Sequence, residues 1–129
     1  MSHFTEVKTK IKCLVTLKKV IEELGYSFKD GVTQVRGYQG ELTEAIAVID
    51  TKSSYDIGIV QTAEGYSLIG DWDMLQVRAG IEQDELLNSI NKKYAYHKIL
   101  EEVAKQGYTV VEEEENAEQV VKVRVRRWT

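Results

Sequence analysis

The stretch "NKKYAYHKILEEVAKQGY", residues 91–108, has a clear helical period and decides the fold. On a helix with about 100° per residue, one narrow arc collects the following side chains: Leu86, Ile90, His97, Leu100 and Ala104. Gly107 occupies the position just after the helix, where a residue with left-handed backbone, usually glycine, commonly ends it. We therefore predict one continuous helix from about Gln83 to Gln106, with His97 near the middle of its buried face.

The rest of the chain alternates between strand and helix patterns. Residues 4–12 alternate with the period of a strand, and Leu14 to Leu24 repeat at helical spacing before Gly25. The apolar run 42–50 is typical of a central strand. The sequence predicts a β-hairpin with strands at 55–61 and 66–71 around a turn at Ala63–Gly65, and a second hairpin follows the long helix with the acidic residues 112–115 as its turn.

This element order, β-α-β-β-β-β-α-β-β, predicts an α+β fold. We expect a two-layer sandwich in which two helices pack on one face of a largely antiparallel sheet. A chain of 129 residues also fits a single domain, 1–129.

Composition excludes several classes of protein. The net charge of −4 argues against a general nucleic-acid binder, and a single cysteine, Cys13, excludes an internal disulfide. No apolar run approaches the roughly 20 residues that a membrane span needs. We expect no cofactor, no metal and no membrane association, and a location in the cytoplasm, or in the plastid stroma if the chain is organelle-encoded.

His97 raises the first functional hypothesis, because a buried imidazole needs partners for both ring nitrogens. One interpretation is a core histidine satisfied by a tyrosine hydroxyl or a backbone carbonyl. The alternative is a ligand-binding or catalytic pocket in which His97 meets Tyr94, Glu101 and the turn residues Arg36 and Tyr38. A histidine and a glutamate one turn apart can share a metal, but they supply only half of a site.

The stretch "VRGYQG", residues 35–40, places two glycines around Tyr38. It lacks the lysine and the hydroxyl of a phosphate-binding loop, so that class of site is excluded. The pattern favours a structural turn in which Arg36 pairs with a carboxylate, with a ligand contact as the alternative.

Basic residues on the terminal strands raise another hypothesis. If those strands are neighbours, one sheet face would collect six cations: Lys8, Lys10, Lys12, Lys122, Arg124 and Arg126. Such a face could bind an acidic protein or RNA, although the strands lack aromatic residues that would stack on bases. The alternative is a solvated face partly neutralised by residues 112–115.

Several short motifs together resemble the hypothetical chloroplast reading-frame thirty-five family of cyanobacteria and algal plastids. They are "MSHF" at 1–4, "KTKI" at 8–11, "VRGYQG" at 35–40, "YDIG" at 55–58, "YAYH" at 94–97, "KQGY" at 105–108 and "RRW" at 126–128. The resemblance implies a cytoplasmic or stromal location and supplies no catalytic roles. It directs attention to the following residues: Arg36, Gly37, Tyr38, Gly40, Tyr94, Tyr96 and His97. Residues 72–84 match the family pattern least.

We therefore expect a non-enzymatic domain that binds another protein. The predicted surfaces are the basic face and three aromatic side chains, Tyr38, Tyr96 and Trp128. The alternatives are the ligand-binding or catalytic pocket around His97 and the RNA-binding face.

Overall fold

The computed structural model describes residues 3–31, 34–115 and 121–127, with side chains described for 3–31 and 34–107. In chain order the elements are β1 (Thr5–Lys8), α1 (Leu14–Glu23), β2 (Ser27–Asp30), β3 (Gln34–Arg36), β4 (Leu42–Glu44), β5 (Ala47–Asp50), β6 (Ile57–Thr62), β7 (Gly65–Gly70), α2 (Trp72–Met74), α3 (Gln83–Lys105), β8 (Tyr108–Glu115) and β9 (Val121–Arg127). The chain divides into two compact units, Met1–Leu87 and Asn88–Thr129. The predicted α+β class with a largely antiparallel sheet is confirmed.

The first unit is built on a five-stranded antiparallel sheet in the order β1-β7-β6-β5-β2. Helix α1 buries Leu17, Val20 and Ile21, whose spacing puts them on one face of the helix. Strand β5 and the first half of β6 are buried, including Ile49 and Ile59. The continuous apolar sequence of these two strands is thus explained by their place in the middle of the sheet.

Local signals in the sequence predicted most of these boundaries. The β6–β7 hairpin forms at the predicted place, with Thr62 opposite Gly65. Gly25 ends α1 at a φ of 92°, and its amide donates to the carbonyl of Glu22 at 3.0 Å. Gly107, with a φ of 80°, follows the end of α3. Left-handed backbone of this kind favours glycine, so both predicted helix ends are confirmed.

The apolar run 42–50 is two strands rather than the single strand predicted. Strand β4 pairs with β3 in a separate two-stranded sheet, whereas β5 pairs with β2 and β6. At the junction the amide of Ile46 donates to the carbonyl of Ile59 at 2.8 Å. The chain changes its pairing strand here, and an apolar run alone does not indicate which strand will be the partner.

Residues 72–79, where no element was predicted, contain two short helical segments. The carboxylate of Asp71 caps α2 by accepting from the amide of Met74 at 3.3 Å. A π-helical turn, Leu75–Ala79, follows and ends at Gly80 with a φ of 68°. This segment also braces β1, because the indole nitrogen of Trp72 donates to the carbonyl of Thr5 at 2.9 Å.

The acidic residues 112–115 lie in a strand, not in a turn as predicted. Strands β8 and β9 form a two-stranded sheet in which Glu112 stands opposite Arg124 and Glu114 opposite Lys122. Unlike charges at opposed positions favour strand pairing, so an acidic run can be part of a strand here. Strand β1 belongs to the other, five-stranded sheet, and the condition for a single basic sheet face is therefore not met.

Helix α3 runs unbroken through Tyr94, as predicted, from Gln83 to Lys105. Its predicted buried face is only partly buried: Ile90 is enclosed, His97 and Leu100 are half-buried, and Ala104 is exposed. The prediction that His97 is buried is therefore wrong. Periodicity identifies the apolar side of a helix, but the extent of burial depends on what covers that side.

Candidate functional site

The hairpin formed by β3 and β4 is the most distinctive surface element of the first unit. Its register puts Arg36 opposite Leu42 and Val35 opposite Thr43. Opposed residues of an antiparallel pair share a face, and successive residues alternate between faces. One face therefore carries the exposed Gln34, Arg36, Leu42 and Glu44, while Val35 is fully buried on the other. We call residues 34–44 the hairpin below.

The turn of the hairpin explains the glycines of "VRGYQG". The amide of Gly37 donates to the carbonyl of Glu41 at 2.8 Å, which closes a loop around a short 3-10 turn at Tyr38–Gly40. Gln39 and Gly40 both have positive φ, 54° and 78°. At Gly37 a Cβ atom would lie only 2.5 Å from the ring of Phe4. This close contact brings the "MSHF" and "VRGYQG" motifs together in space.

The hairpin crosses over β6 at a glycine. A Cβ atom on Gly58 would lie 2.4 Å from a methyl of Val35, 2.8 Å from a methyl of Ile69 and 3.0 Å from the Cβ of Ala45. Such distances are far inside van der Waals contact. Only glycine at this position lets the buried face of the hairpin sit directly on the strand below.

Arg36 fastens the hairpin through a bidentate ion pair with Asp56. Its Nε and one terminal nitrogen donate to the two carboxylate oxygens, both at 2.8 Å, and that terminal nitrogen also donates to the Ser53 carbonyl at 2.9 Å. The backbone contributes as well, since the Arg36 amide donates to the Asp56 carboxylate at 3.1 Å and the Asp56 amide donates to the Arg36 carbonyl at 3.1 Å. The expected pairing of Arg36 with a carboxylate is thus confirmed.

The electrostatics of this pair follow from its unequal burial. The Asp56 side chain is 7% exposed, whereas that of Arg36 is 49% exposed. The hydrogen bond to Asp56, with smaller Coulombic contributions from Asp56 and Asp50, raises the pKa of the Arg36 guanidinium above its ordinary value. The buried carboxylate therefore depends on a guanidinium that reaches it from the solvent side.

Three large apolar side chains of the hairpin and its exit are exposed to solvent. Tyr38 is 39% exposed, Leu42 is 52% exposed and Ile46 is 41% exposed. We call these residues the apolar trio. Exposed large apolar groups held on a rigid element are typical of protein-binding surfaces. The sequence singles out Tyr38 but not Leu42 or Ile46, because apolar residues in a strand pattern resemble core residues.

The residues of the predicted His97 pocket fall into two groups. Tyr94, His97 and Glu101 lie on α3 within the second unit, whereas Arg36 and Tyr38 lie in the first. On α3 the rings of Tyr96 and His97 meet edge to face, 5.9 Å between centroids. Lys98 lies over the Tyr94 ring and pairs with Glu101 at 3.1 Å. A pocket that joins the two groups stays a prediction.

The predicted cationic residues have separate positions. Lys8, Lys10 and Lys12 are exposed on or just after β1. Lys122, Arg124 and Arg126 belong to β9, where Arg126 stands opposite Thr109. Trp128 lies outside the described residues. Among the described residues, no three His, Cys, Asp or Glu side chains come close enough together to hold a metal ion.

A family model described as "Protein of unknown function (DUF1257)" matches residues 20–124, well over half of the chain. The chain belongs to this family. Both the hairpin and Asp56 lie within the matched range.

The relatives extend the match to nearly the whole chain. The chain is 33% identical to "Uncharacterized protein ycf35" of Guillardia theta, covering 99% of this chain and 98% of the relative. It is 30% identical to the protein of the same name in Cyanophora paradoxa, again over 99% and 98%. These plastid-bearing organisms confirm the resemblance to the chloroplast reading-frame family.

No solved structure matches the chain. In the described part of the chain, no helix combines the length and the apolar character needed to cross a membrane.

Proposed function

We propose that this chain is a non-enzymatic protein-binding domain whose partner docks on the hairpin. The observation that carries the proposal is the exposure of the apolar trio, from 39% to 52%, on the firmly attached hairpin and the residues that follow it. An aromatic and two aliphatic side chains supply apolar area that a partner can remove from water. The polar residues Gln34 and Glu44 on the same hairpin are suited to the rim of such an interface.

The attachment of the hairpin supports binding because a rigid element loses little conformational entropy when it docks. Val35 seats the hairpin on Gly58, and Arg36 holds it through three side-chain hydrogen bonds to Asp56 and Ser53. A flexible loop with the same side chains would have to be ordered at the moment of binding, which lowers affinity.

Charge favours a protein over RNA as the partner. The six predicted cations do not share one sheet: Lys8 lies in β1, Lys10 and Lys12 follow β1, and the other three lie in β9. In the sheet of β9, Glu112 and Glu114 stand opposite Arg124 and Lys122. With a net charge of −4 for the whole chain, counterion release from a nucleic-acid backbone offers little driving force.

The test compares a double change within the apolar trio with a single change at an exposed apolar residue elsewhere. The tagged chain is expressed in its native cells as wild type, as the double variant Tyr38→Gln/Leu42→Gln, and as the control Val15→Gln. Val15 is 68% exposed on α1, so it matches the trio in character while lying outside the hairpin. Thermal unfolding of all three proteins should agree closely, because none of the changed side chains belongs to the core.

We expect a protein that co-purifies with the wild type and with Val15→Gln to be lost from the double variant. With the purified partner, the double variant should bind about tenfold more weakly or worse, a typical loss for central apolar contacts. Equal retention of that protein by the double variant would refute docking on the hairpin. So would an equal loss in Val15→Gln.

A further inference from the structure

A pocket of about 420 Å³ in the first unit is lined by Lys52, Ser53, Ser54, Tyr55 and Arg78. It lies between the loop that joins β5 to β6 and the π-helical turn after α2. We propose that this pocket binds a small molecule that carries a phosphate group. The site is separate from the apolar trio, so its failure would leave the docking proposal standing.

The charges around the pocket do not balance. Asp50 is paired with Lys29 at 3.2 Å, and Asp56 is paired with Arg36 at 2.8 Å. Among the described residues, no hydrogen bond or ion pair engages the side chains of Lys52 and Arg78. Two positive charges that have no carboxylate partner in the described part of the chain therefore line one pocket, which attracts an anion.

The loop that carries Lys52 is held in a defined conformation by its own hydrogen bonds. Lys52 has a φ of 63°, and its amide donates to the Asp50 carboxylate at 2.8 Å. The Ser53 hydroxyl accepts from the amide of Tyr55 at 3.1 Å and lies 2.7 Å from the hydroxyl of Thr51. A non-glycine residue with positive φ is uncommon, and such backbone is concentrated in binding loops. Binding would therefore require little rearrangement of the loop.

Arg78 reaches the pocket from a braced element on the other side. The π-helical turn that carries it buries Leu75 completely, and the amide of Ile81 donates to the carbonyl of Leu75 at 3.1 Å. π-helical turns are rare in proteins, and those that occur are often found at functional sites. Arg78 itself is exposed, so its guanidinium is accessible to a ligand.

The donor set fits a phosphate better than a carboxylate. A phosphomonoester carries close to two negative charges near neutral pH and offers three terminal oxygens. The pocket offers Lys52, Arg78 and the Ser54 hydroxyl, whose side chains have no hydrogen-bond or ion-pair partner among residues 3–31 and 34–107. Arginine and lysine are both regular phosphate ligands. The cavity is also larger than a bare ion needs, which leaves room for the organic part of a small ligand.

The experiment is a titration of the ¹⁵N-labelled chain with glycerol 3-phosphate, followed by amide chemical shifts. Inorganic phosphate and sodium acetate, at matched ionic strength, complete the set of probes. We expect saturable shifts at residues 52–55 and 77–79, with a Kd for glycerol 3-phosphate below about 1 mM. Inorganic phosphate should shift the same amides with weaker affinity, and acetate should produce no saturable change.

Three variants make the test specific. Lys52→Asn removes one charge while keeping a residue that tolerates left-handed backbone, and Arg78→Gln removes the other. Lys10→Gln is the control, because Lys10 is an exposed lysine outside the lining. Each pocket variant should weaken binding at least about fivefold, whereas the control should not change it. Absence of saturation, equal shifts with acetate, or an equal effect of Lys10→Gln would overturn the proposal.

Discussion

Removing the Arg36 side chain should destabilise the first unit by leaving a buried carboxylate without its cation. In Arg36→Gln, Asp56, whose side chain is 7% exposed in the wild type, loses two charge-assisted hydrogen bonds of 2.8 Å. Breaking a fully buried ion pair costs about 3–5 kcal/mol. Arg36 is 49% exposed, so water can replace part of its role. We therefore expect the free energy of unfolding to fall by about 2 kcal/mol.

A double-mutant cycle isolates the pair from other effects. Asp56→Asn should cost less, about 1 kcal/mol, because an amide oxygen can still accept from the Arg36 amide and the freed guanidinium is solvated. The double variant should cost less than the sum of the two single changes, with a coupling energy of about 1 kcal/mol.

Urea unfolding followed by the fluorescence of the buried Trp72 measures these differences, with Trp128→Phe as the common background. The control is Lys18→Gln, which breaks an ion pair of 3.1 Å between side chains that are 43% and 58% exposed. That change should cost less than about 0.5 kcal/mol. If Arg36→Gln costs no more than this control, or if the two changes are additive, the pair does not fasten the hairpin.

Three further predictions concern the same unit. Gly58→Ala should lower the free energy of unfolding by about 2 kcal/mol, since its Cβ would lie 2.4 Å from Val35, and adding Val35→Ala should recover part of the loss in urea unfolding. Lys52→Gly should raise the midpoint of thermal unfolding slightly, because glycine adopts the φ of 63° without strain. A clear fall in that midpoint would show that the backbone at Lys52 is not strained in the wild type. Two hydrogen bonds, first that from the Lys52 amide and then that from Lys29, lower the pKa of Asp50 in the folded chain below its ordinary value of 3.8. The ionised Asp50 therefore stabilises the folded chain above pH 3.8, and this stabilisation is lost as the pH falls through the lowered pKa of the folded state. The stability gap between wild type and Asp50→Asn should accordingly be constant near neutral pH and should narrow below pH 3.8; a gap that widens in acid would contradict the assigned shift.

Local chemistry determines the parts of this fold that the sequence predicted correctly. A glycine with left-handed backbone commonly ends a helix, and a two-residue turn commonly joins two antiparallel strands. Both signals are local in the sequence, so Gly25, Gly107 and the β6–β7 hairpin could be located without a structure. The pairing of Arg36 with some carboxylate was also predictable from its place in a glycine-rich turn. Its actual partner, Asp56, was visible only as part of the "YDIG" motif.

The features that the sequence did not predict depend on contacts between distant residues. The run 42–50 contains no signal for a change of partner at Ile46, because the hydrogen bond to Ile59 joins a different strand. His97 lies on the apolar side of α3, but periodicity does not determine how much of that side is covered. Likewise Lys52 and Arg78 face one pocket only after the first unit folds.

The seat of the hairpin on Gly58 links positions that are far apart in the sequence. A methyl group added at position 58 would meet side chains from three separate strands or connections, those of Val35, Ala45 and Ile69. A relative that carries alanine or a larger residue there would have to shrink several of these neighbours at once or raise its hairpin away from the sheet. Residues 35, 45, 58 and 69 should therefore vary together among relatives. A relative in which only residue 58 differs would be one whose hairpin presents a different surface.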